Sequence, residues 1–231
     1  MRPIGLCLIF ATAASAQSFS SSSWNVKDHV VTATFGPPKS APILTGAPYT
    51  ADEVQEYNPP SNTSSPRIAV IGHFARDSQG RTRTERAYKP APIWLTEIFD
   101  PAAGVAYLLD DRKKIAHRMP LPPAQSAIAP PAADSRMTLE KLGTQQIEGV
   151  LVEGTRKEFR GPGSSGPVVQ TVETWESPEL KLTILLKSSN GYTNRLTNLS
   201  RSEPSPSLFQ PPPGYTVVDD NSPFPMTVQF Q

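Results

Sequence analysis

"LKLTILLK", residues 180–187, puts Leu180, Leu182, Ile184 and Leu186 on one side and Lys181, Thr183, Leu185 and Lys187 on the other. A period of two is that of an extended strand buried on one face; a helix would repeat every 3.6 residues. The run before it, "PVVQTVETWE" (167–176), is rich in β-branched and aromatic residues, and the short Ser177-Pro178-Glu179 connection predicts that the two pair as a hairpin.

The same pattern extends upstream. "IWLTEIF" (93–99) and "VAYLL" (105–109) flank a turn opened by Asp100-Pro101 and closed by Gly104, and "DDRKK" (110–114) turns the chain into "IAHRM" (115–119), which gives a three-strand meander. In "RIAVIGHFARDSQGRTRTERAY" (67–88), Asp77 and Gly80 stand first and fourth in a type I turn, so 67–76 and 81–88 are the arms of a hairpin with Asp77 placed to cap its turn. Along the second arm Arg81, Arg83 and Glu85 alternate with Thr82, Thr84 and Arg86. A ladder of this kind suits an exposed strand that resists edge-to-edge association. A nucleic-acid groove would interleave exposed aromatics with the basic residues, and this arm offers only Tyr88.

Downstream, "TQQIEGVLVEGTRKEF" (144–159) reads as strand, Glu-Gly turn, strand, "RGPGSSGP" (160–167) as a loop, and "NGYTNRLTNLSRSEP" (190–204) as a turn at Asn190-Gly191 followed by a last strand. Helix signals are sparse. "TADE" (50–53) has the form of a capping box, but Pro59 and Pro60 limit it, and Val54 with Tyr57 suits a short strand nearly as well; "MTLEKLG" (137–143) suits one helical turn closed by Gly143. The expectation is a mainly β fold with little helix: an antiparallel, curved open sheet or half-barrel of about nine to eleven strands.

Proline punctuates this pattern. The 26 prolines among 231 residues gather in "FGPPKSAP" (35–42), "NPPSNTSSP" (58–66), "MPLPPAQSAIAPPAADS" (119–135) and "FQPPPGY" (209–215), which must be connections because proline cannot donate to a sheet ladder. "SLFQPPPGYTVV" (207–218) is therefore expected to run extended, anchored by Leu208, Phe209 and Tyr215, without forming a central strand. The opening "MRPIGLCLIFATAASAQS" has the layout of a cleaved secretory signal over residues 1–16: Arg2, a short apolar run, and Ala14-Ser15-Ala16. Cys7, the one cysteine, lies inside it without the small residue before it that a lipoprotein signal needs, so the exported chain has no disulfide. Residues 17–45 carry too little periodic apolar content for more than one strand, "HVVTATF" (29–35); residues 46–219 form the β domain and 220–231 a tail. Periplasmic or extracellular placement follows, and no later segment is apolar enough to be transmembrane.

A formal charge of +1 gives no net electrostatic recruitment by nucleic acid or an anionic membrane. His29, His73 and His117 are far apart, and no H-x-x-x-H or H-E-x-x-H spacing suggests a metal. There is no G-x-S-x-G elbow, and Asp110-Asp111 reads as a turn former, so no catalytic residue and no cofactor are predicted. Asn62-Thr63-Ser64 and Asn198-Leu199-Ser200 match the glycosylation acceptor pattern.

The segments "PYTADEV", "RDSQGRTRTE", "IFDPAAGVAYLLDDRKKIAHRMPLP", "LGTQQIEGVLVEGTR", "WESPELKLTILLKSS" and "LTNLSRSEPSPSLFQPPPGYTVV" resemble, in this order, a family of exported bacterial proteins. The second half is also similar, more distantly, to the outer-membrane lipoprotein carrier (LolA-like) superfamily. That resemblance implies a curved antiparallel half-barrel, covered by helices, whose concave apolar face holds a lipid moiety or a partner. Three functions are therefore weighed: a cell-envelope binding or scaffold protein without catalytic activity, a carrier of an apolar ligand or lipoprotein-type cargo, and a hydrolase with an unrecognised site. For the carrier, Trp94, Tyr107, Trp175, Leu182 and Ile184 are the candidate ligand-binding residues on the concave face. The expected partner is a hydrophobic ligand or an envelope protein.

Overall fold

The computed structural model describes residues 19–27, 30–39, 42–59, 65–88, 93–123, 136–161 and 166–229. The predicted signal segment lies outside them, as does Asn62. In chain order the strands are β1 (Phe19–Lys27), β2 (Val30–Pro38), β3 (Tyr49–Tyr57), β4 (Arg67–Arg76), β5 (Thr82–Tyr88), β6 (Ile93–Asp100), β7 (Val105–Asp110) and β8 (Ile115–Pro120). They continue with β9 (Met137–Ile147), β10 (Val150–Arg160), β11 (Val168–Ser177), β12 (Leu182–Ser188), β13 (Tyr192–Ser200), β14 (Thr216–Asp219) and β15 (Phe224–Gln229). The only helix among the described residues is one 3-10 turn, Pro206–Phe209, so no covering helices of the kind the carrier resemblance implied are found there.

Twelve strands form one sheet in the order β14-β8-β7-β6-β5-β4-β3-β13-β12-β11-β10-β9, and β1-β2-β15 form a second, three-stranded sheet. The mainly β, antiparallel expectation holds, but the large sheet exceeds the nine to eleven strands expected. One pairing is also parallel: β14 lies beside β8 with Thr216 opposite Ile115. The added strands come from segments whose apolar content is thin but well placed. Phe19, Ala33, Phe35, Phe224 and Met226 are each at most 6% exposed, so a few inward side chains hold the second sheet in place.

The 180–187 alternation is realised in β12, where Leu182, Ile184 and Leu186 are buried and Lys187 is exposed. β11 and β12 pair as the predicted hairpin, closed by the Lys181 N–H donating to the Ser177 carbonyl at 2.8 Å. Glu148 and Gly149 both have positive φ (48° and 75°), the backbone of a two-residue turn that matches strand twist, and join β9 to β10. "TADE" lies in β3, and "MTLEKLG" in β9 where a helical turn was expected; Gly143 marks a bulge there, with Gly154 opposite Gly143 but Thr155 opposite Lys141. Long-range pairing with β10 overrides the local cap signal.

At the β4–β5 turn, Asp77 caps as predicted: its Oδ1 accepts from the backbone N–H of Gln79 (3.0 Å) and of Arg81 (2.8 Å). The arm that follows is not an exposed edge, however. β5 lies between β4 and β6, with Thr84 only 4% exposed. Its charges are tolerated in mid-sheet because each finds a partner, Arg83 on Glu85 at 2.7 Å and Arg86 on Glu53 at 3.6 Å.

Two register rows give the large sheet its sidedness. Ala51, Phe74, Thr84, Glu97, Leu108 and His117 lie opposite one another across β3 to β8 and face the three-stranded sheet; we call this the inner face. The next row, Asp52, His73, Glu85, Thr96, Leu109 and Ala116, points to the outer face. The inner face carries two apolar clusters. One joins Leu95, Phe99, Ala106, Leu108 and Met119 to the three-stranded sheet. The other gathers Tyr49, Ala51, Phe74, Val150, Val152, Trp175, Leu180, Leu182, Ile184 and Leu196. On the outer face Ala75, Ile98, Leu109 and Ala116 are covered by Phe209, with Leu208, Tyr107 and Tyr215 packed around them. The three predicted anchors of the tail thus do anchor it, as one 3-10 turn followed by an extended run.

Candidate functional site

Trp175, Leu182 and Ile184 come together in the second inner cluster, but they are closed, at 9%, 1% and 0% exposure. Gly154 on β10 makes room for the indole; a Cβ there would lie 2.6 Å from Trp175 Cζ3. The other two candidates are elsewhere. Tyr107 is half-buried beneath the tail on the outer face, and Trp94 is 41% exposed on that same outer face. The five therefore do not form one concave surface. Alternation explains the split: Tyr107 and Trp94 occupy odd–even positions opposite in sense to Leu108 and Leu95, which point inward.

Around Trp94 the outer row brings polar groups together. Asn198 Nδ2 donates to Asp52 Oδ2 at 2.7 Å, Asp52 Oδ1 lies 2.6 Å from His73 Nδ1, and the His73 ring stacks on Trp94 at 5.4 Å between centroids and 20° between planes. Asn198 reaches this position from a backbone at φ 54°, a left-handed conformation that asparagine tolerates better than most residues. The Asn198 hydrogen bond, ahead of that from His73, holds the Asp52 carboxyl below its ordinary pKa. Glu85, the cross-strand neighbour of His73, is neutralised by Arg83, whose Nη1 also donates to the Leu208 carbonyl. Ile68 and Val70, 66% and 45% exposed, lie across from Glu56 and Val54 on β3, in line with Asp52, so they join the same outer face.

A second polar group lies inside. Glu53 and Glu97 are 2% and 3% exposed, and Arg86 stands over the Phe74 ring (5.1 Å) with Glu53 Oε2 at 3.6 Å from its Nη2. Gly72 sits beneath, where a Cβ would meet the Phe74 ring at 2.8 Å. Glu97 Oε1 accepts the Phe19 N–H at 2.9 Å. Burial raises the Glu53 carboxyl and pushes Glu97 up to about 7, with the Phe19 hydrogen bond and Arg86 opposing the rise. Two raised carboxyls resemble the acid/base pairs of hydrolases, but both are closed under apolar side chains, and what they do here is neutralise Arg86 and fasten β1. His117, half-buried, pairs with Asp220 at 2.8 Å and stacks on Phe224 at 4.0 Å, so it fastens β15. No group of three or more histidine, cysteine, aspartate or glutamate side chains among the described residues has the arrangement of a metal site.

Sequence reasoning missed the outer cluster because its members come from four strands; only the strand register places Asp52 beside His73. The signal that could have found it is the Asn-Leu-Ser turn of β13, where Asn198 departs from strand geometry.

No protein-family model matches this chain, and no curated protein matches it. Among solved structures, PNGF-II in two crystal forms is similar over 76% of this chain, at 10% and 9% identity and TM-scores of 0.32 and 0.31. The chain spans about a third of the length of that protein (32% and 31%). An outer membrane lipoprotein-sorting protein domain from Vibrio parahaemolyticus is similar over 67% of this chain and 85% of its own, at 12% identity and a TM-score of 0.17. Scores of this size do not establish a shared fold. Among the described residues no helix is long and apolar enough to cross a membrane.

Proposed function

We propose that this protein is a cell-envelope binding module without catalytic activity, and that it recognises its partner through the outer face around Trp94. One observation carries the reading: of the five apolar and aromatic side chains singled out for ligand contact, Leu182, Ile184 and Trp175 are consumed by packing, whereas Trp94 stays 41% exposed beside polar groups already held in place. An exposed tryptophan with one face stacked on an imidazole is a rigid amphipathic platform, and such side chains are the usual anchors of recognition surfaces. The cargo-carrier reading is weaker, since a guest on the inner face would have to displace side chains that are at most 9% exposed.

Co-sedimentation with isolated envelope fractions, run beside native mass spectrometry of the protein purified from its own envelope, tests the reading. The expected result is a bare polypeptide mass, with sedimentation that falls in Trp94→Ala. A stoichiometric lipid in the native spectrum, or sedimentation indifferent to Trp94, overturns it.

A further inference from the structure

Asp52 and His73 lie on stretches of β3 and β4 that are paired with a strand on each side. A ligand on this face cannot add a strand and must be read by side chains alone. Those side chains are an exposed indole, an imidazole whose Nδ1 is taken up by Asp52, a carboxylate, and an amide. They run from Asn198 on β13 through Asp52 on β3 and His73 on β4 to Trp94 on β6, each touching the next, at 2.7 Å, 2.6 Å and, between ring centroids, 5.4 Å. The nearby charges cancel: Arg83 is bound by Glu85, and Arg195 by Glu56 at 2.9 Å.

Each class of ligand makes different demands on such a strip. A phosphate or a nucleic acid needs uncommitted cations, and these arginines are committed. A lipid chain needs a continuous apolar trough, and here donors and acceptors interrupt it. A polyhydroxylated ring offers apolar C–H faces to an aromatic plane and hydroxyls around its rim to amide, carboxylate and imidazole groups, each able to take up one or more hydrogen bonds.

Resting on the reading of the outer face as the recognition surface, we propose that the Asn198–Asp52–His73–Trp94 strip is a binding subsite for a neutral oligosaccharide, with Trp94 as the stacking platform and Asp52, His73 and Asn198 as the hydroxyl-reading groups. The strip is longer than one sugar ring, so the ligand is a segment of a glycan chain. The mutual hydrogen bonds of Asn198, Asp52 and His73 fix these groups before the ligand arrives, which lowers the ordering cost of binding.

Calorimetric titration with cellohexaose, maltohexaose and chitohexaose tests the proposal. At least one of the three is expected to bind the wild type, to bind Trp94→Ala about tenfold or more weakly, and to bind Asn198→Gly, which keeps the positive φ without strain, several-fold more weakly, with the melting curve of Trp94→Ala unchanged. Absence of binding to all three, or binding indifferent to Trp94→Ala, overturns it; so does Trp94-dependent binding to phosphatidylethanolamine vesicles without saccharide binding. Loss of envelope sedimentation in Trp94→Ala together with no saccharide binding sinks the glycan assignment and leaves the outer-face reading intact.

Discussion

Glu97→Gln is the most informative single perturbation of this fold. Burial lifts the Glu97 carboxyl from 4.5 to about 7, so the folded protein holds a proton there that the unfolded chain releases. The sign follows directly. Because the folded pKa lies above the unfolded one, this site's stabilisation is full below about pH 4.5 and is lost as pH rises through about 7. A gap of roughly two and a half units at about 1.4 kcal/mol each amounts to about 3 kcal/mol across that window. The glutamine still accepts from Phe19 N–H through its carbonyl but does not titrate. Urea unfolding of wild type and Glu97→Gln at pH 5, 6, 7 and 8 is the assay, scored by the difference between the two, since Glu53 and Asp52 titrate in both. The variant should gain on the wild type by up to about 3 kcal/mol between pH 5 and pH 8, even if its absolute stability is lowered by an unpaired amide N–H. Parallel pH profiles would refute the reasoning, because they would mean that Glu97 is hydrated and not sealed beneath the three-stranded sheet.

Other substitutions report on other joints. Phe209→Ala removes the ring that closes the outer cluster and should cost about 3 kcal/mol or more, a fall in Tm of roughly 10 °C; truncation before Leu208 should cost at least as much, and an unchanged melting curve would mean the tail is not seated. Gly154→Ala drives a Cβ to 2.6 Å from the Trp175 ring, so we expect a loss of about 1–3 kcal/mol and an altered near-UV dichroism signal from the displaced indole. Arg76→Met strands the carbonyls of Ala47 and Leu180, which the guanidinium now bonds at 2.9 and 2.7 Å, and should destabilise by about 2–4 kcal/mol in urea titration.

Much of the sheet was legible because side-chain alternation is a local property. Leu180 to Leu186, the Asp77 turn, the meander from Ile93 to Met119 and the Glu148-Gly149 turn all follow from neighbours in sequence. What escaped depends on distant pairing. β2 was expected as "HVVTATF", but β1 and β15 are too thin in apolar residues to read as strands, and the three are held together where Phe35 meets Phe224 at 6.1 Å. β9 carries the capping signal of a helix, and only β10 makes it extended. The candidate site shows the same division: aromatic identity singled out Trp94 and Trp175 alike, but register and bulges decide that one is exposed and the other is closed over Gly154.

β2 sits between β1, its neighbour in sequence, and β15, the last strand among the described residues, with Val31 opposite Val228. The smaller sheet therefore closes a loop that contains every strand of the larger one. Until β15 docks, Leu95, Phe99, Leu108 and Met119 lack their full cover, and this closure of a very long loop is expected to be the slow step of folding. The cost is a long-lived, sticky intermediate.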